Sequence, residues 1–206
     1  MSMTGPMIAS PDSVLRTDNL RASTRAFHEH VEHHEMVRIM LNEECDPTTY
    51  AVYLWNLGRI YQALEGAARK LGLIGEDIFR AEKIRNDFDE LWHVRGNLNM
   101  QDAQSLPVFP STRAHVARIL EIAQDETLLM AHVYVRHLGD LQGGQLLKTK
   151  IPGSATFYSF EDRPAAIRDI HAKLSDEMHD EAVRVFQFAH QLFDDLLRFR
   201  NSHVVE

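Results

Sequence analysis

The stretch AHVYVRHLGDLQGGQLLK, residues 131–148, reads as a helix and yet carries Gly139, Gly143 and Gly144 within six positions. Each glycine costs ~1 kcal/mol relative to alanine inside a helix, so the three cost roughly 3 kcal/mol of helix preference. At the helical angle of about 100° per residue, Gly139 and Gly143 share a face, with Asp140 and Gly144 beside them. A flat ligand fits against such a bare backbone, with one carboxylate at its edge. The same letters also suit a simpler reading, in which the Gly-Gly pair marks a turn and Asp140 a cap.

Outward from this stretch, 206 residues are enough for one sizeable core, and the even polarity points to one domain, residues 16–206, after a loose tail of residues 1–15. The net charge of -8 argues against sequence-independent binding to nucleic acid, which needs a basic face. Cys45 is the one cysteine, so neither an internal disulfide nor a thiolate metal cage is expected, and a reducing cytoplasm is the expected location. The first residues lack a signal-peptide pattern, and no apolar run is long enough to span a membrane.

Apolar periodicity predicts an all-α fold of about seven helices. The first runs from Asp18 to about Glu43 through Leu20, Phe27, Val31, Met36, Ile39 and Met40. Pro47 opens the next, and Tyr50 to Leu71 is apolar around most of its circumference, with Gly72 in a stopping position. Glu76 to about Val94 forms a third, followed by the loop-like RGNLNMQDAQSLPVFP. Ser111 or Thr112 starts a fourth, Asp125 caps the glycine-bearing segment, and two more cover about 162–177 and 179–202.

The densest chemistry outside the glycine stretch is FHEHVEHHE, residues 27–35, within a total of twelve histidines. His28 and Glu32 form an i,i+4 pair beside Phe27 and Val31. A carboxylate there accepts the imidazole Nδ1–H and leaves Nε2 as a better metal ligand, although spacing alone fits a half-buried structural histidine as well. His30, His33 and His34 read as a solvated face. Arg21 lies two turns before His28 on its face, while Tyr134, Arg136 and His137 precede Asp140 along the other helix. GDLQGGQ lacks the Lys and Ser/Thr of a phosphate loop, and neither GxSxG nor HExxH occurs. Glu90 and His93 form a lone ExxH, the fragment that di-iron bundles use twice.

Two separated segments resemble the heme oxygenase family. YVRHLGDLQGGQ, residues 134–145, is similar to that family's distal-helix signature, and LRASTRAFHEHVE, residues 20–32, to its proximal segment. A weaker likeness runs through YQALE, residues 61–65, and HQLFDDL, residues 190–196. The resemblance implies a single-domain bundle with heme between a proximal and a kinked distal helix. It implies His28 as the axial ligand of the heme iron and Glu32 as its partner. Gly139, Gly143 and Gly144 would let the distal helix approach the porphyrin, Asp140 would organise distal waters with Arg136 as a further catalytic residue, Arg21 and Tyr134 would contact the propionates, and Thr24 would be a further heme-binding residue. Arg168, His171 and Lys173 are candidates for the basic residues that the family places on a later helix. Gln142 stands where many members carry serine.

The activity so implied is cleavage of heme b, both substrate and cofactor, by O2 and supplied electrons to biliverdin, carbon monoxide and ferrous iron. The electron donor would be a ferredoxin or a flavoprotein reductase, meeting surface basic residues such as Arg113, Arg118 and Lys148. A neutral histidine ligand suits this chemistry because it lacks the electron push by which a thiolate favours O–O cleavage. Two other readings remain at this point: a non-heme di-iron or cofactor-processing enzyme of the same helical fold, using Glu90 and His93, and a carrier that stores heme without degrading it.

Overall fold

Asp46 illustrates how local chemistry sets the helix boundaries: its carboxylate accepts from Thr48 N and Thr49 N at 2.9 and 3.0 Å, Pro47 follows at the first helical position, and Gly72 closes the helix in the left-handed conformation at φ 63°. The structure, a computed structural model, describes residues 11–94 and 105–203. Within them are nine α-helices: α1 (Pro11–Glu32), α2 (Glu35–Leu41), α3 (Pro47–Leu71), α4 (Ala81–Val94), α5 (Pro110–Glu121), α6 (Glu126–Gln142), α7 (Gly144–Leu147), α8 (Arg163–His171) and α9 (His179–His203). No strand occurs among the described residues. Three single 3-10 turns, at Glu76–Ile78, Thr156–Tyr158 and Asp176–Met178, link them.

The all-α expectation holds, and the helix count rises because two expected helices are each broken. The first break is at His34, whose extended backbone (φ -62°, ψ 141°) lets its own Nδ1 accept from Met36 N at 3.0 Å and cap α2. His34 is therefore buried, with Nε2 against Asp194 Oδ1 at 3.2 Å, and does not belong to the solvated face expected for it. The second break is at Gly143, which separates α6 from α7. In addition, α1 begins at Pro11, inside the segment expected as a tail, while residues 1–10 and most of the expected loop after Val94 lie outside the described residues.

The core gathers around α3, which packs on α4, α5, α6 and α9. Tyr50, Leu54, Leu57, Ile60, Tyr61 and Leu64 from α3 are all at most 1% exposed, so this helix is buried on most sides, as its composition implies. α9 closes the opposite side against α1, α2, α5 and α6. α1 and α6 approach at Thr24, whose Oγ1 donates to Leu20 O at 2.8 Å and lies 3.2 Å from Tyr134 Oη. α8 packs against both α1 and α6. No helix among the described residues is long and apolar enough to cross a membrane.

Candidate functional site

The three glycines of the opening stretch have different surroundings. Gly139 is exposed on α6, and a Cβ there would meet nothing within 4 Å. Gly143 is also exposed; its Cβ would stand 3.4 Å from Gly139 O. Gly144 is buried, and its Cβ would collide with the Tyr158 ring, 2.2 Å from Cδ1. The first two therefore present bare backbone, whereas the third makes room for a side chain of the fold itself. The pair also lies at the break between α6 and α7, where Gly143 keeps a helical backbone (φ -71°, ψ -34°).

Asp140 lies beside this face. Its Oδ2 accepts from Tyr61 Oη at 2.5 Å. Burial pushes the carboxyl up to about 6 from the usual 3.8, against the opposing pull of the Tyr61 hydrogen bond and of His137, Arg136 and Arg80. Such a group holds or gives up a proton near neutral pH, which an exposed aspartate does not. Tyr61 packs its ring 5.1 Å from that of His137, and His137 Nε2 lies 3.0 Å from Glu65 Oε1. Glu65 also accepts from Arg80 N at 2.5 Å and Ala81 N at 2.9 Å, at the start of α4. Tyr61, His137 and Glu65 had no assigned role in the sequence reading. A tyrosine and a glutamate one turn apart on the largely apolar face of α3 are the signal that points to Tyr61 and Glu65.

On α1, His28 and Glu32 do meet: Nδ1 and Oε2 are 3.3 Å apart. The imidazole is 52% exposed by side chain and makes a T-shaped contact with the Phe186 ring, centroids 5.8 Å apart. Nε2 is thereby the free coordinating atom. Arg21 is exposed on the same helix, two turns earlier. The chain's own residues fit a planar iron porphyrin on two observations: an exposed histidine with Nδ1 held by a carboxylate, and a glycine face without side chains over it.

The remaining expected residues scatter. Arg168 is exposed on α8, and Lys173 donates its ammonium to Leu73 O, just past the end of α3. Arg136 is 8% exposed and points into the core, where Nη2 lies 3.4 Å from His115 Nδ1. Arg118, expected as a free surface cation, is bound to Glu181 through Nε and Nη2 at 3.0 and 2.8 Å and to Glu121 at 2.9 Å. Glu90 accepts from Ser154 N, His93 is exposed, and neither joins a group of three metal-capable side chains among the described residues.

Comparison with known proteins matches residues 16–196 to the family model described as heme oxygenase. The chain belongs to the heme oxygenase family. Heme oxygenase 1 of Bos taurus is 26% identical over 223 residues, covering 90% of this chain and 74% of the relative. A heme oxygenase of Rhodella violacea is 32% identical over 158 residues, covering 69% and 65%. Among solved structures, the heme complex of heme oxygenase-1 from the cyanobacterium Synechocystis superposes with a TM-score of 0.76 at 24% identity, covering 91% of this chain and 96% of that one, a likeness of fold. The heme oxygenase fold and enzyme class implied by residues 20–32 and 134–145 are those of this chain, and neither the di-iron nor the carrier reading is favoured.

Proposed function

We propose that this chain cleaves heme b oxidatively to biliverdin, carbon monoxide and ferrous iron, using O2 and electrons from a ferredoxin or a flavoprotein reductase. The observation that carries the reading is Asp140: a carboxyl poised near neutral pH by burial, fixed by Tyr61, beside an exposed glycine face. Family membership supports the same activity. The single buried cysteine, whose thiol burial pushes up to about 12, is inert and accords with a cytoplasmic location.

In this reading His28 would offer Nε2 to the heme iron, and Glu32 would take its Nδ1–H, setting the tautomer and raising the basicity of the coordinating nitrogen. The heme, when bound, supplies the iron that activates oxygen and the ring that is cleaved. Gly139 and Gly143 would let the α6 backbone come close to the bound heme. Tyr61 occupies Oδ2 of Asp140 and turns the carboxyl so that Oδ1 can hold water, which delivers a proton without direct contact from the acid. Tyr134, hydrogen-bonded to Thr24, and Arg21 would contact the propionates, with Arg168 and Lys173 as further cationic candidates. For Lys173 that role requires release of the Leu73 carbonyl.

The decisive experiment adds hemin to the purified chain, then ascorbate or a reductase in air. The Soret band is expected to give way to a bilin spectrum. A stable heme complex under those conditions favours the carrier reading instead.

A further inference from the structure

Behind α6, a run of buried polar side chains joins it to α5 and α9. Arg136 Nη2 lies 3.4 Å from His115 Nδ1, His115 Nε2 lies 3.0 Å from His132 Nδ1, and His132 Nε2 lies 3.0 Å from Glu181 Oε1. Arg118 closes the outer end on Glu181. His132 is 0% exposed and His115 1%.

The donor and acceptor roles along this run follow from its first member. A guanidinium only donates, so His115 Nδ1 accepts and its proton sits on Nε2. That proton points to His132 Nδ1, which places the second proton on His132 Nε2, donated to Glu181. Burial pushes both imidazoles down, with the Arg136 charge adding to the effect at His115, so both stay neutral. Burial alone pushes Glu181 up, but the hydrogen bonds from His132 and Arg118 outweigh it and hold the carboxylate at about 2. Every link thus donates in the same direction, toward a fixed anion.

The inner end of the run is otherwise loosely held. Arg136 Nε is buried and has no hydrogen-bond partner among the described residues, while Nη2 of the same guanidinium meets His115. Arg136 stands one turn before Asp140 on α6, and its charge acts on that carboxyl together with Tyr61, His137 and Arg80. Because arginine does not release its proton at working pH, the run cannot conduct protons to the site; it orients.

We propose that His115 and His132 are positioning residues for the distal site: the one-way chain from Arg136 to Glu181 holds the Arg136 guanidinium in place and so fixes the field around the Asp140 carboxyl. This inference rests on the reading of Asp140 as the group that holds water over the heme.

The test uses the full chain without heme. Imidazole nitrogen-15 spectra should show both histidines neutral with the proton on Nε2 from about pH 6 to 8. An imidazolium, or a proton on Nδ1 of either ring, overturns the proposal without any variant. His132→Leu removes the link, whereas His132→Gln keeps it, because Oε1 accepts from His115 and Nε2 donates to Glu181. The Asp140 carboxyl carbon-13 titration should shift upward by about half a unit or more in the leucine variant and return in the glutamine variant. With heme, kcat should fall about threefold in the leucine variant, the factor that half a unit represents, with KM unchanged. A folded leucine variant with an unmoved Asp140 midpoint overturns the proposal. If that variant does not fold, the tautomers of the unaltered chain decide. The reading of Asp140 fails separately, if Asp140→Asn gives normal biliverdin yield while the tautomers stand.

Discussion

A Cβ on Gly144 would stand 2.2 Å from Cδ1 and 2.4 Å from Cε1 of Tyr158, while one on Gly139, on the same stretch, meets nothing within 4 Å. The two alanine variants should therefore part company. Gly144→Ala is expected to destabilise the ligand-free protein by about 1–3 kcal/mol, because the buried tyrosine ring must move. Gly139→Ala should stabilise it by about 1 kcal/mol through helix preference, while weakening heme binding. Urea unfolding and hemin titration check both, and a Gly139→Ala protein that binds hemin as tightly as the original removes the flat face from the site.

Asp140 makes stability depend on pH in an unusual sense. Its folded value, about 6, lies above its ordinary 3.8, so the folded state binds the proton more tightly and stability falls as pH rises from about 4 to 6. Asp140→Asn should then be more stable than the parent above about pH 6, by at most about 3 kcal/mol, and indistinguishable below about pH 4. Urea midpoints measured across that range test the sign. Asp140→Ala, in turnover, should keep heme but divert it from biliverdin to other oxidation products.

His28 and Glu32 supply a spectroscopic prediction. His28→Ala is expected to abolish the histidine-ligated heme spectrum, and an unchanged spectrum moves the ligand elsewhere. Glu32→Ala should keep that ligation but lower heme affinity by about tenfold or more, the usual effect of removing the carboxylate behind a ligating histidine.

Glu181 acts in the opposite direction from Asp140. Held at about 2 rather than 4.5, it contributes stability that is fully present above about pH 4.5 and is lost as pH falls toward 2. Glu181→Gln should cost about 1–3 kcal/mol at neutral pH, since Arg118 keeps only Glu121 as its anion and His132 donates to a neutral oxygen. It should also flatten the acid limb of the stability profile. An unaltered acid limb in that variant would show that other carboxylates govern it.

Much of the site is legible before folding because it is written along single helices. His28 and Glu32 meet as i,i+4 neighbours whatever packs around them, and Gly139, Gly143 and Asp140 share a region of one helix by angle alone. Asp46, Asp125 and Asp162 announce helix starts through bonds spanning two or three residues. Those features follow from the helical repeat, which a sequence carries by itself.

The opening stretch shows where that legibility stops. Which of its glycines lies open and which sits under a ring depends on Tyr158, brought in by a turn after α7. That Asp140 is held by Tyr61, that Arg136 turns away to His115, and that His34 caps a new helix against Asp194 all depend on how separate helices dock. The physical reason is range: propensity, capping and i,i+4 pairing are settled within a turn or two. Burial and donor–acceptor partnership across helices are settled only when α3, α5, α6 and α9 close on one core. Family membership and the pairing of His28 with Glu32 were thus determined by the residues in order, whereas the protonation of Asp140 and the anchoring of Arg136 were decided by tertiary packing.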